Sequence, residues 1–520
     1  MSDVRSDRPR LIYNDDGSNF LYAWDDLGAD DLRAYLGRLA GTQVDMVVYC
    51  VAFGGYVCYY DSDVAEPLGS GFGFSDRVKQ RRWNHNRARL RREAGDYITC
   101  VFATLADMGI PALASIRMND AHMSSDPTGP VAGRFWMNHP EWRLGEPYGY
   151  YGSCLDYSVP AVRAYLRRLA QEVIEKFPDI AGLELDAMRS PFFFKPDEGR
   201  DNAPLITELI RQVRGDLDQA ALAAGRDRYL LHVNVPRRPD LALESGLDVV
   251  AWDTGGLVDS ISVGCYNTDF QVPIGLWKAE LSDRVGIYPY LNCSPSMAEY
   301  MSLEHYRAAA DNAYAAGAHG IYLFNFPCFD ELSALLPRPI DQPPIPVPHF
   351  HAQGWHPDLE HTRKALGELG DPATIAAADR HYLFYWASTP HHHYTPQPPC
   401  IDRLAPETAE LIFRCHHLAD AAHVELRVKA IGVSIRDDFA FRLNGKAIAP
   451  DSIQRLHAPG GRDTRIHGTR LDPYSQYIIQ LPPDLLAEGD NLLTVALTAR
   501  EPDLFGTVTV GELELIVTHG

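Results

Sequence analysis

Over the first 370 residues, hydrophobic and polar positions alternate between two textures. Short runs rich in β-branched and aromatic residues recur at 10–15, 44–53, 110–120, 180–186, 229–235, 258–264, 285–292 and 319–326. Runs of this kind read as strands. Between them lie longer stretches with apolar residues three and four apart, clearest at 29–41, 159–177 and 303–317. That spacing predicts amphipathic helices. Eight strands alternating with helices predict a parallel sheet, and eight units in this length fit a (β/α)8 TIM barrel. The competing arrangement is a doubly wound open sheet, but no Gly-rich phosphate turn follows the first strand.

The texture changes after a proline-dense connector, PRPIDQPPIPVP at 337–348, and a last helical stretch at 361–371. From 409 onward, short strands of period two are separated by Asn-Gly and Glu-Gly-Asp turns. That pattern predicts an all-β jelly-roll sandwich. The expected organisation is a catalytic barrel over 1–372 and an accessory β-sandwich over 373–520.

Composition narrows the partners. The chain has 520 residues, 46% hydrophobic and 22% charged, with a formal net charge of −21. It has enough apolar content for a large core. Its negative charge repels nucleic acid and anionic membrane surfaces at long range, so neither is expected as a partner. The N-terminal stretch lacks the apolar core of a secretory signal, and the nine cysteines are scattered with no CxxC pair. Together these predict reduced thiols and a cytoplasmic setting. The exposed sandwich would offer a face for pairing subunits.

The candidate chemistry lies at the ends of the predicted strands. In GLELDAMR, 182–189, alternation turns Leu183 and Leu185 toward the helices and Glu184 and Asp186 toward the barrel interior. Asp186 then ends the fourth strand, on the face where barrel enzymes place their active sites. Two inward carboxyls about 7 Å apart on one strand do not both ionise cheaply, so each needs a cation or donors, or one keeps its proton. Glu184, the deeper of the two, also fits a structural ion pair in the barrel floor. Arg189 is near enough in sequence to serve as a counter-charge.

Other strand ends carry Asn14, Asp15 and Asp16; Arg117, Asn119, Asp120 and His122; His232 and Asn234; Tyr266, Asn267 and Asp269; Asn292; and Asn325. Each alone fits a turn or a helix cap. Together they predict a polar ring at one mouth. Trp136, Trp142, Tyr148, Tyr150 and Phe192 to Phe194 lie on the adjoining loops. Polar groups for paired hydroxyls and flat apolar faces for sugar rings suit a carbohydrate. Asp120 and His122 with His232 could hold a cation, but no HExxH or cysteine cluster supports a metal, and no cofactor is expected. Asp253 and Asp259 read as structural. The basic stretch at 77–92 reads as a solvated helix face, with a contact to an anionic sugar or a second subunit as the sharper alternative.

GLELDAMR, RMNDAH (117–122) followed by NHPEW (138–142), and AWDTGGLVDSIS (251–262) resemble the glycoside-hydrolase-like barrel families. The likeness is greatest to family-10-like hydrolases of unknown specificity and spans roughly residues 8 to 370. FRLNGKAI (441–448) and LAEGDNLLTVAL (486–497) look like galactose-binding-like modules. The resemblance implies hydrolysis of glycosidic bonds, with Asp186 central. A chitinase-like pattern would require Glu where Met188 stands. On two-carboxyl chemistry, Asp186 is expected as nucleophile or base. The acid is expected at Asp269 or Asp120, with Glu184 as partner or tuner. Asn14, Asp15, Asp16, Arg117, Asn119, His122, Arg189, His232, Asn234, Tyr266, Asn292 and Asn325 are expected to bind substrate. The alternatives are a non-catalytic carbohydrate binder on a degenerate barrel and a metal-dependent hydrolase or lyase on the same fold.

Overall fold

The computed structural model describes residues 8–53, 57–70, 77–124, 127–265, 268–292, 301–326, 359–384, 399–404, 408–463 and 469–519. Tyr266, Asn267, the proline-rich connector and the histidine run at 391–393 lie outside the described residues.

All eight strands expected from the alternating runs form. They are β1 (Leu11–Asp15), β2 (Met46–Phe53), β3 (Ala112–Arg117), β4 (Gly182–Asp186), β5 (Leu230–Pro236), β6 (Ser260–Gly264), β7 (Gly286–Asn292) and β8 (Ile321–Phe324). Each pairs in parallel with the next, and β8 and β2 both flank β1, which closes the barrel. The helices predicted from 3.6-residue periodicity appear as Ala29–Gly37, Pro160–Lys176 and Leu303–Ala315.

Two apolar sets follow from strand alternation. Leu183, Leu185, Leu231, Val233, Ile261 and Val263 point outward and join the core beneath the helices. Ile12, Met46, Val48, Leu113, Tyr288, Tyr290, Tyr322 and Phe324 point inward and fill the barrel as a separate cluster. The inward tyrosines fit because glycines on their own and the neighbouring strand leave room for them. A Cβ on Gly264 would lie 2.7 Å from the Cβ of Tyr290, and one on Gly286 2.9 Å from the Tyr288 ring.

Pairing register stacks the inward polar residues in two rows. Ser115, Glu184, His232 and Ser260 are neighbours in one. Arg117, Asp186, Asn234 and Ser262 are neighbours in the next, one layer nearer the mouth.

The C-terminal region is all antiparallel. A six-stranded sheet is built around Thr507–His519 and Ala421–Ile431, and a four-stranded sheet around Gly489–Ala499 and Asp438–Leu443. Buried and exposed residues alternate along Ala409–Cys415 and Asp438–Leu443, as expected for sheets with one face in a core. This region packs on the helix Leu303–Ala315. Asp311 of that helix accepts from Tyr382 Oη at 2.7 Å and lies 2.7 Å from His417 Nδ1. Asn312 donates to the Arg414 carbonyl at 2.7 Å.

The basic stretch folds as the helix Arg77–Ala94, with Arg82, Trp83, Asn86 and Leu90 buried. Its outer charges meet acids of the same chain: Arg81 with Asp25 and Arg87 with Asp61, both at 2.6 Å, and Arg89 with Glu93 at 2.7 Å. Among the described residues no helix is long and apolar enough to cross a membrane.

The register of β4 depends on Gly182, where a Cβ would lie 2.0 Å from the Leu230 carbonyl oxygen. Backbone cannot yield there as a flexible side chain would. Gly182→Ala is expected to destabilise by at least about 1–3 kcal/mol, the usual cost of overpacking, and to lower the urea midpoint. Gly37→Ala, in a helix with open space around it, should be neutral or stabilising by up to about 1 kcal/mol.

Candidate active site

The lower polar row is a neutral, hydrogen-bonded floor. Glu184 is wholly buried and accepts from Ser115 Oγ and Tyr322 Oη, both at 2.7 Å. Both donors are neutral, so nothing in direct contact balances a negative charge. Burial, reinforced by Asp186 above, pushes its carboxyl up to about 8. His232 Nδ1 and Nε2 lie 2.7 Å from the Ser260 and Ser262 hydroxyls, and its ring stacks on Tyr322. Burial holds this imidazole down at about 3, so it is neutral.

The upper row carries the charge. Arg117 is buried, its ring-facing side over Phe53. Its guanidinium bonds Asp16, lies 3.2 Å from Asp120 Oδ2 and reaches Asp186 Oδ2 at 3.9 Å. Burial works against its charge, but these acids outweigh burial and hold Arg117 firmly protonated.

The two deeply buried acids respond in opposite directions. Burial pushes Asp186 upward, and Arg117, the Met188 amide, Asn234 and Arg189 offset only part of the rise. Its Oδ1 accepts from the backbone N–H of Met188 at 2.9 Å and of Arg189 at 3.3 Å. Burial also pushes Asp120 upward, but His122, Arg189 and Arg117 together bring it below the usual carboxylate range.

His122 extends this cluster toward solvent. Its backbone N–H donates to Asp120 Oδ1 at 3.0 Å, and its Nδ1 bonds the same oxygen. Its Nε2 lies 2.8 Å from Arg189 Nη2. The His122 side chain is 37% exposed, against 1% for Asp120 and 2% for Asp186. Asp16, 25% exposed, and Arg189, 16% exposed, complete this accessible edge.

Several expected site residues have partners away from this cluster. Asp15 is not in the mouth: Asn14 faces inward, so Asp15 faces the helices and accepts from Tyr35 Oη at 2.6 Å and Gly17 N at 2.9 Å. Asn119 ties loops together, donating to the carbonyls of Leu155 and Phe192 and accepting from Leu155 N. His232 lies in the floor, so it does not join Asp120 and His122 around a cation. Among the described residues no three His, Cys, Asp or Glu side chains are arranged to hold a metal.

Asp269 pairs with Arg237 at 2.5 Å and accepts from Gln271 N at 2.9 Å. Asn14 accepts from Asn325 N at 3.2 Å, and the Asn292 backbone is held by Thr268 Oγ1. Asn234 lies beside Asp186 and is fully buried. Trp136, Phe193 and Phe194 are buried core residues. Tyr148, Tyr151 and Phe192 form a partly exposed aromatic cluster, with Phe192 and Tyr151 ring centroids 4.3 Å apart. Asp253 and Asp259, expected to be structural, are bonded to Arg284 and to Arg228.

Sequence reading missed Ser115, Ser260, Ser262 and Tyr322. Each occupies an inward strand position across from or near Glu184 and His232, so strand alternation held the signal.

No family model matches the sequence, and no curated protein matches it. The family-10-like resemblance therefore rests on the quoted motifs alone. Among solved structures, similarity is found to a cycloisomaltooligosaccharide glucanotransferase from Paenibacillus sp., at 10% identity over all of this chain and TM-score 0.35. It is also found to an α-L-fucosidase from Paenibacillus thiaminolyticus, at 11% identity over 71% of this chain and TM-score 0.40. A third is a maltogenic α-amylase from Thermotoga neapolitana, at 11% identity over 94% of this chain and 99% of its own, with TM-score 0.38. This chain spans 58% of the length of the first and 49% of the second. Identities and scores this low assign no residue here a role.

Glu184 makes stability pH-dependent with a definite sign. Folded, it keeps its proton to about 8, whereas its ordinary value is 4.5. Between those values the unfolded chain binds fewer protons, so stability falls as pH rises, by at most about 1.4 kcal/mol per unit. Glu184→Gln keeps a neutral group against Ser115 and Tyr322 and removes that slope. Urea unfolding from about pH 5 to about pH 8 should show the variant gaining on the wild type as pH rises. Parallel curves would count against a protonated Glu184.

Proposed function

We propose that this chain is a glycoside hydrolase in which Asp186 protonates the leaving oxygen and the Asp120 side of the cluster supplies the base. One observation carries the reading: two buried carboxyls share one guanidinium and are pushed in opposite directions. Environments that separate two acids in this way mark out an acid and a base. Their Oδ2 atoms lie 3.9 and 3.2 Å from nitrogens of Arg117, which holds them within roughly 9.5 Å, the outer limit at which two carboxyls share a glycosidic bond.

This assignment reverses the sequence expectation, in which Asp186 was the nucleophile or base. A wholly buried carboxyl whose nearest cation is already bonded to two other acids is better suited to holding a proton than to attacking carbon. Position agrees, since Asp186 ends β4 at the carboxyl face of the barrel. The half-open aromatic cluster of Tyr148, Tyr151 and Phe192 adjoins it through the Asn119 bonds and suits the apolar face of a sugar. A carbohydrate is accordingly the proposed partner.

The test is hydrolysis of a panel of oligosaccharides, alkyl glycosides and nitrophenyl glycosides by wild type and Asp186→Asn. Loss of a general acid costs about 10²–10⁴-fold. The loss should be largest for oligosaccharides and alkyl glycosides. It should be much smaller for nitrophenyl glycosides, whose leaving group needs little protonation. An equal loss on all three would make Asp186 a nucleophile. Sugar binding without turnover by the wild type would favour a degenerate, non-catalytic barrel.

A further inference from the structure

Asp120 is ionised but poorly placed to touch a substrate. Its Oδ1 is occupied by the His122 backbone N–H and imidazole, and its Oδ2 by Arg117, with Arg189 Nε at 3.9 Å. Its negative charge acts through the imidazole it holds.

We infer that His122, oriented by Asp120 and covered at Nε2 by Arg189, is the base that activates water in this site. The inference rests on the glycoside hydrolase reading above and specifies which atom takes the proton. Arg189 Nη2 is a donor, so Nε2, 2.8 Å away, accepts. Nδ1 therefore carries the hydrogen and donates it to Asp120. A carboxylate that fixes a histidine tautomer in this way also stabilises the imidazolium formed when the ring takes up a proton. Nε2 is then the basic atom, on a side chain 37% exposed, at the accessible edge of the cluster.

Arg189 serves as a placeholder. It covers Nε2 in the resting site, and its own backbone N–H bonds Asp186 Oδ1 at 3.3 Å. The same residue therefore touches the base and the acid. Water reaches Nε2 only when the guanidinium moves off it, and once the ring is protonated two facing donors repel and keep Arg189 away.

The step balances as a single displacement. Water gives one proton to His122 Nε2 as its oxygen bonds to the anomeric carbon. The bond from that carbon to the glycosidic oxygen breaks, and the leaving oxygen keeps the electron pair and takes the proton of Asp186. The products are a free sugar and an alcohol. One proton passing from His122 through solvent to Asp186 restores the enzyme. Direct attack by water inverts the anomeric centre.

The experiment combines stereochemistry with rescue. Proton NMR of the first product formed by the wild type should show inversion, and retention overturns the proposal. His122→Ala, checked for an unchanged unfolding midpoint, should lose about 10²–10⁴-fold in kcat with little change in KM. Added imidazole should recover at least about tenfold of that loss, but should leave Asp186→Asn unchanged. Activity of His122→Ala within a few-fold of wild type, with Asp186→Asn inactive, overturns the base assignment and leaves the hydrolase reading intact. No turnover by the wild type on any glycoside overturns both.

Discussion

Arg117 is a cation shut away from water, and the mouth of the barrel is arranged around that fact. Removing a guanidinium from solvent costs several kcal/mol unless opposite charges and hydrogen bonds surround it. Asp16 and Asp120 meet that need directly, while Asp186 stands farther off at 3.9 Å. Burial raises both carboxyls, and at Asp186 it outweighs Arg117, the Met188 amide, Asn234 and Arg189. At Asp120 the contact with His122, followed by Arg189 and Arg117, outweighs burial and lowers the carboxyl. The difference between two chemically identical side chains arises chiefly from His122, which bonds Asp120 and has no counterpart at Asp186.

The row beneath confines that charge to the mouth. Ser115, Tyr322, Ser260 and Ser262 offer hydroxyls, which satisfy polar atoms without adding charge. Glu184 keeps its proton and His232 stays unprotonated, so no formal charge lies below the level of Arg117 in this part of the barrel. The apolar cluster of Ile12, Met46, Leu113 and the inward tyrosines fills the rest of the barrel interior. A site built this way has a dry, neutral base and one charged layer, and interactions in that layer are stronger for lack of solvent.

The architecture was legible because it repeats. Eight runs of period two, separated by helical spacing, specify a barrel wherever their ends fall. The site was legible only as far as strand ends go. Asp186, Arg117, Asp120 and His122 do come together beyond the strand ends, but Asp15, which follows the inward Asn14, faces the other side of its strand. His232 was placed at the mouth although register sets it one layer down, beside Glu184. The bonds of Asn119 to Leu155 and Phe192 join segments far apart in sequence, so the strand pattern gave no sign of them. The link between Asp16 and Arg117, 101 residues apart, has no local signature at all.

Arg189 draws these layers together. Met188 and Arg189 turn their backbone N–H groups onto Asp186 as the chain leaves β4, so the carboxyl is held by the segment that it ends. The Arg189 side chain then crosses to His122 and Asp120, which belong to the loop after β3. Neighbouring strands of a parallel barrel deliver their exits side by side, and the cluster needs only two of them, β3 and β4, which are paired from Leu113 to Asp186. Arg117 supplies the buried tie between those exits and Arg189 the partly exposed one.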